Sequence, residues 1–166
     1  MARKAARLPG VLLTLARYIL LDATPLGLAS RRRGIPVVDA CYAWLTALGR
    51  AGARIVIPEI ADYEIRRELQ RLGHSPGLRR LDTLAQRFLY AEITTPVMHK
   101  AAEFWADVRR RGLPTAGDQS LDADAILAAQ AVLIGSIGDS VTVATGNVTH
   151  LTRFPGIDAR NWTTIT

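Results

Sequence analysis

The sequence holds one cysteine, Cys41, among 166 residues, so no disulfide closes within the chain and a metal cluster built on several thiolates is excluded. Any metal must be held by oxygen or histidine, and nothing in the chain calls for an oxidising compartment. Long apolar runs are missing too. The stretch Val11-Leu12-Leu13-Thr14-Leu15 follows basic residues but is interrupted by Arg17 and then Asp22. It falls far short of the roughly 18 apolar residues of a membrane helix and is short even for a secretory signal core. No membrane association is expected, and the chain reads as cytoplasmic. Internal repeats, low-complexity tracts and linkers are absent, as are P-loop, GxGxxG, GxSxG and HExxH patterns. His74, His99 and His150 are scattered, without the pair spacing of a metal site, and read as surface or packing residues.

With 49% apolar and 22% charged residues, the chain has the balance of one globular domain with a sizeable core. That domain is expected over residues 17–166. Residues 1–16 read as a short basic amphipathic extension, or as the product of a start codon placed too early. The net charge of +6 is local: residues 1–34 carry seven bases (Arg3, Lys4, Arg7, Arg17, Arg31, Arg32, Arg33) against Asp22, while the remainder is neutral. Nineteen of the 21 bases are arginine, whose planar fork suits bidentate phosphate contacts, although a GC-rich genome produces the same bias. The clustering is the stronger signal.

Short apolar runs alternate with helical patterns. Tyr18-Ile19-Leu20-Leu21 reads as a buried strand running into a loop at Asp22, Pro25 and Gly27. A helix over 35–48 and a strand over 53–57 follow. Pro58 suits the first turn of a helix over 58–72 that Gly73 ends. Further helices are expected over 78–89 and 96–111, with a short strand at 92–94 between them. Residues 121–134 form the most apolar helix, with Gln130 its only polar member from Ala125 onward, so burial on nearly all sides is expected. A strand at 141–145 ends at Gly146-Asn147, and a last strand is placed at 162–165. This alternation predicts an α/β fold with a central parallel sheet flanked by helices on both faces.

Ligands of open parallel sheets bind outside the carboxyl ends of the strands. Asp22 and Asn147 fall at such ends, and Glu64, Asp124 and Asp122 lie on helices able to face them. Hard oxygen donors of this kind suit Mg²⁺ or Mn²⁺, ions that assist phosphodiester hydrolysis. Each residue also has a plain structural reading. Asp22 is a common turn residue, Glu64 a solvated helix charge, Asp122 a helix cap, Asn147 a left-handed turn residue. Asp118 is expected in a loop. Glu59, Asp62 and Glu68 are expected on solvated faces, and Trp44, Trp105 and Trp162 in the core.

Taken together, four segments resemble the PIN-domain family of metal-dependent ribonucleases, and within it the VapC-type toxins of bacterial toxin–antitoxin pairs. Leu20-Leu21-Asp22-Ala23-Thr24 is similar to the family's first strand end; Glu64 stands in the helix after the second strand. Asp124-Ala125-Ile126-Leu127-Ala128-Ala129 is similar to its acidic helix start, and Val143-Ala144-Thr145-Gly146-Asn147 to its later strand end. The resemblance implies a PIN-like three-layer sandwich, one or two Mg²⁺ or Mn²⁺ ions, and endonucleolytic cleavage of RNA. It implies Asp22, Glu64 and Asp124 as metal ligands, Asn147 in the fourth position where many members carry Asp, and Thr24 and Thr145 as orienting groups. Asp122 would compensate for the neutral Asn147 if turned inward. Arg31, Arg32 and Arg33, with Arg66 and Arg67 beside Glu64, are expected to contact RNA phosphates, the alternative for the arginine run being a solvated loop. An antitoxin partner and a homodimer complete the implication. The rival readings are a weakly active or inactive PIN-fold RNA-binding protein, and a hydrolase of small phosphorylated molecules.

Overall fold

The computed structural model describes residues 15–112, 118–136 and 138–166, with backbone alone for 118–120. The basic extension expected over 1–16 lies outside the described residues as far as residue 14. Strand β1 (Arg17–Leu21) leads into α1 (Ala23–Ala29) and α2 (Pro36–Arg50), and β2 (Arg54–Pro58) into α3 (Glu59–Arg71) and α4 (Ser75–Arg87). Then β3 (Leu89–Ala91) leads into α5 (Thr95–Arg110) and α6 (Asp118–Ile134), β4 (Ser140–Thr145) into α7 (Val148–Leu151), and β5 (Asp158–Asn161) into a 3-10 turn, Trp162–Thr164.

The five strands form one all-parallel sheet in the order β3-β2-β1-β4-β5. Helices cover both faces, which gives the expected three-layer sandwich. In β1, Ile19, Leu20 and Leu21 are all fully buried, as a central strand covered on both sides requires. Leu20 packs with Val143, Phe104, Leu121 and Phe154 under α5 and α6. Ile19 and Leu21 point the other way, onto Leu26, Cys41, Leu45 and Leu81 of α1, α2 and α4. Burial pushes the Cys41 thiol up to about 11, so it is an inert packing group. Among the described residues, no helix is long and apolar enough to cross a membrane.

Several local expectations are corrected. The loop placed after Asp22 is helix α1: Pro25 sits in its first turn, where backbone N–H groups have no intrahelical partner to lose. The short strand lies at Leu89–Ala91 rather than 92–94, because Thr94 is used to cap α5, its hydroxyl accepting from Val97 N–H at 3.4 Å. The last strand is the polar edge segment Asp158–Asn161; edge strands tolerate polar side chains, and Asp158 accepts the Thr142 hydroxyl at 2.9 Å. Residues 162–165 instead seal the core, Trp162 packing edge-on against Trp44 at 5.4 Å while Trp44 Nε1 donates to the Ile165 carbonyl at 2.9 Å.

Asp118 begins α6 rather than sitting in a loop. Within that helix Gln130 is buried as expected and donates to the carbonyl of Ala91 at 2.5 Å, fastening α6 to the end of β3. Trp105 is 38% exposed and not a core residue. Asp62, expected on a solvated face, is buried in a bidentate pair with Arg66, at 2.9 and 3.0 Å. His74 caps α4, its Nδ1 accepting from Gly77 N–H at 3.0 Å.

Candidate active site

The chain proceeds from β1 to β2 to β3 on one side of the sheet, then returns through α5 and α6 to place β4 against the other edge of β1. The crevice at the carboxyl ends of β1 and β4 is therefore the topological switch point, where open parallel sheets bind their ligands. Asp22 occupies it. Its backbone N–H donates to the Ala144 carbonyl at 3.0 Å, extending the β1–β4 ladder by one residue. Its Oδ1 accepts from Ala23 N–H at 2.7 Å as the cap of α1, and its Oδ2 accepts the Thr145 hydroxyl at 2.6 Å. Thr145, fully buried, accepts in turn from Asn147 N–H at 2.9 Å. The relay Asn147 N–H to Thr145 hydroxyl to Asp22 thus fixes the carboxylate from both strands. Each Asp22 oxygen makes one hydrogen bond, so lone pairs remain on both.

Two more carboxylates approach from the helices that flank this crevice. Glu64, on α3, is half-buried; burial and then the charges of Asp22 and Asp124 raise its pKa, while Arg67 opposes them from 4.0 Å. Asp124, on α6, is pushed up to about 6, first by burial and then by Asp22, with His150 and Arg153 pulling it down. Among the described residues its buried Oδ2 has no hydrogen bond of good geometry, although His150 Nδ1 stands 3.5 Å from it. Burial and the Asp22 charge therefore disfavour the ionised forms of Glu64 and Asp124, and Asp124 presents an unsatisfied buried oxygen.

Other expected residues fall elsewhere. Because α6 starts at Asp118, Asp122 is not its cap; it is exposed two residues from Asp124, on the opposite side of the helix, lining an apolar groove with Met98, Trp105 and Ile126. It does not turn inward. Asn147 is exposed with φ −132°, so it is not a left-handed turn residue; its backbone N–H makes the bond to Thr145, and its side chain makes no capping bond to α7. Thr24 is exposed and packs on Gly146, where an added Cβ would stand 2.9 Å from its hydroxyl oxygen. Arg66 is committed to Asp62 and also to Asp82 at 2.8 Å, which removes it from the set free to meet RNA. Arg67 is exposed beside Glu64. Arg31, Arg32 and Arg33 line a separate trough with residues of α2 and α4, away from the carboxylates.

Sequence reading missed His150. It follows Asn147 by three residues, a spacing that α7 turns toward Asp124, but histidines read singly carried no such signal.

The donor set suits a hard divalent ion: all-oxygen, acidic, with raised carboxyl pKa values and an orphaned Asp124 oxygen. Among the described residues, no three His, Cys, Asp or Glu side chains already close on one point to hold a metal. The fit is therefore to an ion held by one or two carboxylates that keeps much of its water, the usual manner of Mg²⁺.

Replacing Thr145 by Val removes the hydroxyl from the relay without changing shape. It is expected to cost about 1–3 kcal/mol of stability, since Asn147 N–H and Asp22 Oδ2 each lose a partner. Any activity that depends on Asp22 should fall about 10-fold or more, with Thr145→Ser close to wild type. Thermal melts of both variants beside their rates check this.

No protein-family model matches the sequence, and no curated protein matches it. Solved structures share its fold. A chain of VapBC2 from Rickettsia felis, bound to a DNA fragment from their promoter, is 19% identical, with 87% of this chain and 98% of that chain covered and a TM-score of 0.66. A chain of DNA-bound VapBC from Salmonella typhimurium is 19% identical, with coverage of 90% and 99% and a TM-score of 0.63. A chain of FitAcB from Neisseria gonorrhoeae is 21% identical, with coverage of 89% and 99% and a TM-score of 0.56. At these identities the likeness is one of fold.

Proposed function

We propose that the chain is a metal-dependent endoribonuclease acting as the VapC-type toxin of a toxin–antitoxin pair. The observation that carries this reading is the convergence of Asp22, Glu64 and Asp124 at the switch point, where burial and the Asp22 charge raise the pKa of Glu64 and of Asp124 and a buried Asp124 oxygen lacks a hydrogen-bond partner among the described residues. Three carboxylates held this way are costly unless a cation neutralises them. The fold shared with chains of VapBC complexes supports the same reading. Of the two components such a pair contains, the acidic crevice suits the one that cuts phosphodiesters, because without a cation it repels nucleic acid.

One or two of Asp22, Glu64 and Asp124 would hold Mg²⁺ or Mn²⁺ directly, the rest meeting it through its retained water. A bound ion would supply charge neutralisation at the scissile phosphate and acidify a water for attack. The protein's own groups set the geometry: the Thr145 hydroxyl and the first turn of α1 hold Asp22 rigid, burial keeps Asp124 poorly solvated, and His150 stands ready to pair with it. Arg67 is placed to meet a phosphate beside Glu64. An antitoxin partner, a homodimer and a cytoplasmic site of action belong to the same proposal.

Labelled RNA incubated with purified protein is expected to be cut with Mn²⁺ or Mg²⁺ and to survive in EDTA, with calorimetry reporting metal binding. No cleavage of any RNA and no heat of binding would overturn this reading in favour of a non-catalytic RNA-binding protein.

A further inference from the structure

A second charged feature lies apart from the carboxylates. The turn after α1, the outer face of α2 and helix α4 enclose an open trough of about 700 Å³ lined by Arg31, Arg32, Arg33, Arg50, Arg80 and Arg87. No acidic residue lines it, and Asp39, paired with Arg33 at 3.2 Å, is the one carboxylate in contact with any of the six among the described residues. Three of the six arginines are engaged. Arg33 also lies over the Tyr42 ring at 5.2 Å, Arg80 donates to the Ser30 carbonyl at 2.8 Å, and Arg87 lies over Phe88 at 5.7 Å. Arg31, Arg32 and Arg50 have no carboxylate or carbonyl partner among the described residues. Guanidinium groups gathered this closely repel one another, and a protein keeps them together at a cost in stability unless an anion visits.

We propose that this trough binds the phosphate backbone of single-stranded RNA, as a tethering surface separate from the carboxylate crevice. The proposal rests on the reading of the chain as a ribonuclease and adds to it that the substrate is an extended strand rather than a dinucleotide or other short end. A phosphodiester chain fits better than an acidic peptide for two reasons. Arginine forks match phosphate oxygens in pairs. Tyr42 and Phe88 stand within the trough and the depression that continues it along α2, the alternation of basic groups and aromatic rings that single strands use. The contacts fall on phosphates, so binding is insensitive to base sequence.

The test is binding without cleavage. A fluorescent 12-nucleotide RNA is titrated with the full chain in EDTA, over a series of salt concentrations, and compared with the Arg31→Ala/Arg32→Ala/Arg50→Ala variant. These three side chains are exposed and their removal relieves the mutual repulsion, so the variant is expected to melt at or above the wild-type temperature. Affinity is expected to fall at least tenfold, and the slope of log K against log salt to shrink by about 2, since each lost phosphate contact on a single strand removes about 0.7. The Lys triple variant should keep most of the slope while losing part of the affinity. Equal RNA binding by wild type and Ala variant would overturn the proposal, as would tighter binding of a 12-residue poly-glutamate than of the RNA. Because no metal is present, Arg-dependent binding by a protein that never cuts RNA would sink the nuclease reading and leave this one standing. Metal-dependent cutting with unchanged binding in the variant would do the reverse.

Discussion

Asp22→Asn is expected to fold normally and to lose metal-dependent RNA cleavage by more than about 100-fold, beyond the range that loss of a supporting group costs. Asparagine is as good a helix cap as aspartate, so α1 keeps its acceptor for Ala23 N–H. What disappears is the charge, together with the acceptor that Thr145 uses at 2.6 Å. An amide nitrogen turned toward Thr145 would face a hydroxyl oxygen that already accepts from Asn147 N–H. Rates at saturating Mn²⁺ beside thermal melts decide the matter: a variant that cuts at the wild-type rate removes Asp22 from the chemistry, and one that fails to fold shifts the weight to Glu64→Gln.

The second large effect is a reversal of the usual link between acid and stability. Asp124 has its pKa raised from 3.8 to about 6 in the folded protein. Between those values the folded state holds a proton that the unfolded chain has released, so stability falls as pH rises through that window and the loss is complete above it. Two units correspond to at most about 3 kcal/mol, and Glu64 adds to the loss in the same direction. In EDTA the wild type should therefore lose melting temperature relative to Asp124→Asn as pH rises from 3.8 to about 6. Mn²⁺ at pH 7.5 should restore much of it by binding the ionised form. Asp124→Asn should melt about 3–10 °C higher than wild type in EDTA at that pH and gain little from Mn²⁺, at roughly 2–4 °C per kcal/mol for a chain of this length. A variant whose pH profile in EDTA matches wild type would remove Asp124 as the source of the strain.

The sheet and its acidic crevice were legible because β1 and β4 are read at two levels at once. The apolar run of β1 and the short, mostly apolar β4, broken only by Thr142, declare central parallel strands, and the polar residue beyond each marks the carboxyl end. The helix bearing Asp124 was legible for a similar reason, since so apolar a helix packs into the core, though one side is less covered than its composition suggests, with Leu133 47% exposed. Where the reading failed, tertiary context overrode local pattern. Arg66 looked available until Asp82, 16 residues away, proved to share it with Asp62. Asp122 was misplaced because helix starts are poorly marked where no cap residue stands out. His150 owes its place to the turn that brings α7 under α6, which no window of sequence contains. The arginine trough was visible only as its first three residues; Arg50, Arg80 and Arg87 join it from helices that are neighbours in space alone.

The central strand pair carries a last consequence. Leu21 lies opposite Ala144, and Thr145 holds Asp22 across 123 residues of chain. A growing polypeptide therefore carries Asp22 and Glu64 into the cell long before Asp124 and Thr145 have been made. Until then β1 has its β4 side unpaired, and such an open apolar edge is prone to pair with other chains. The crevice is therefore a late product of folding: it is complete only once β4 has taken its place beside β1.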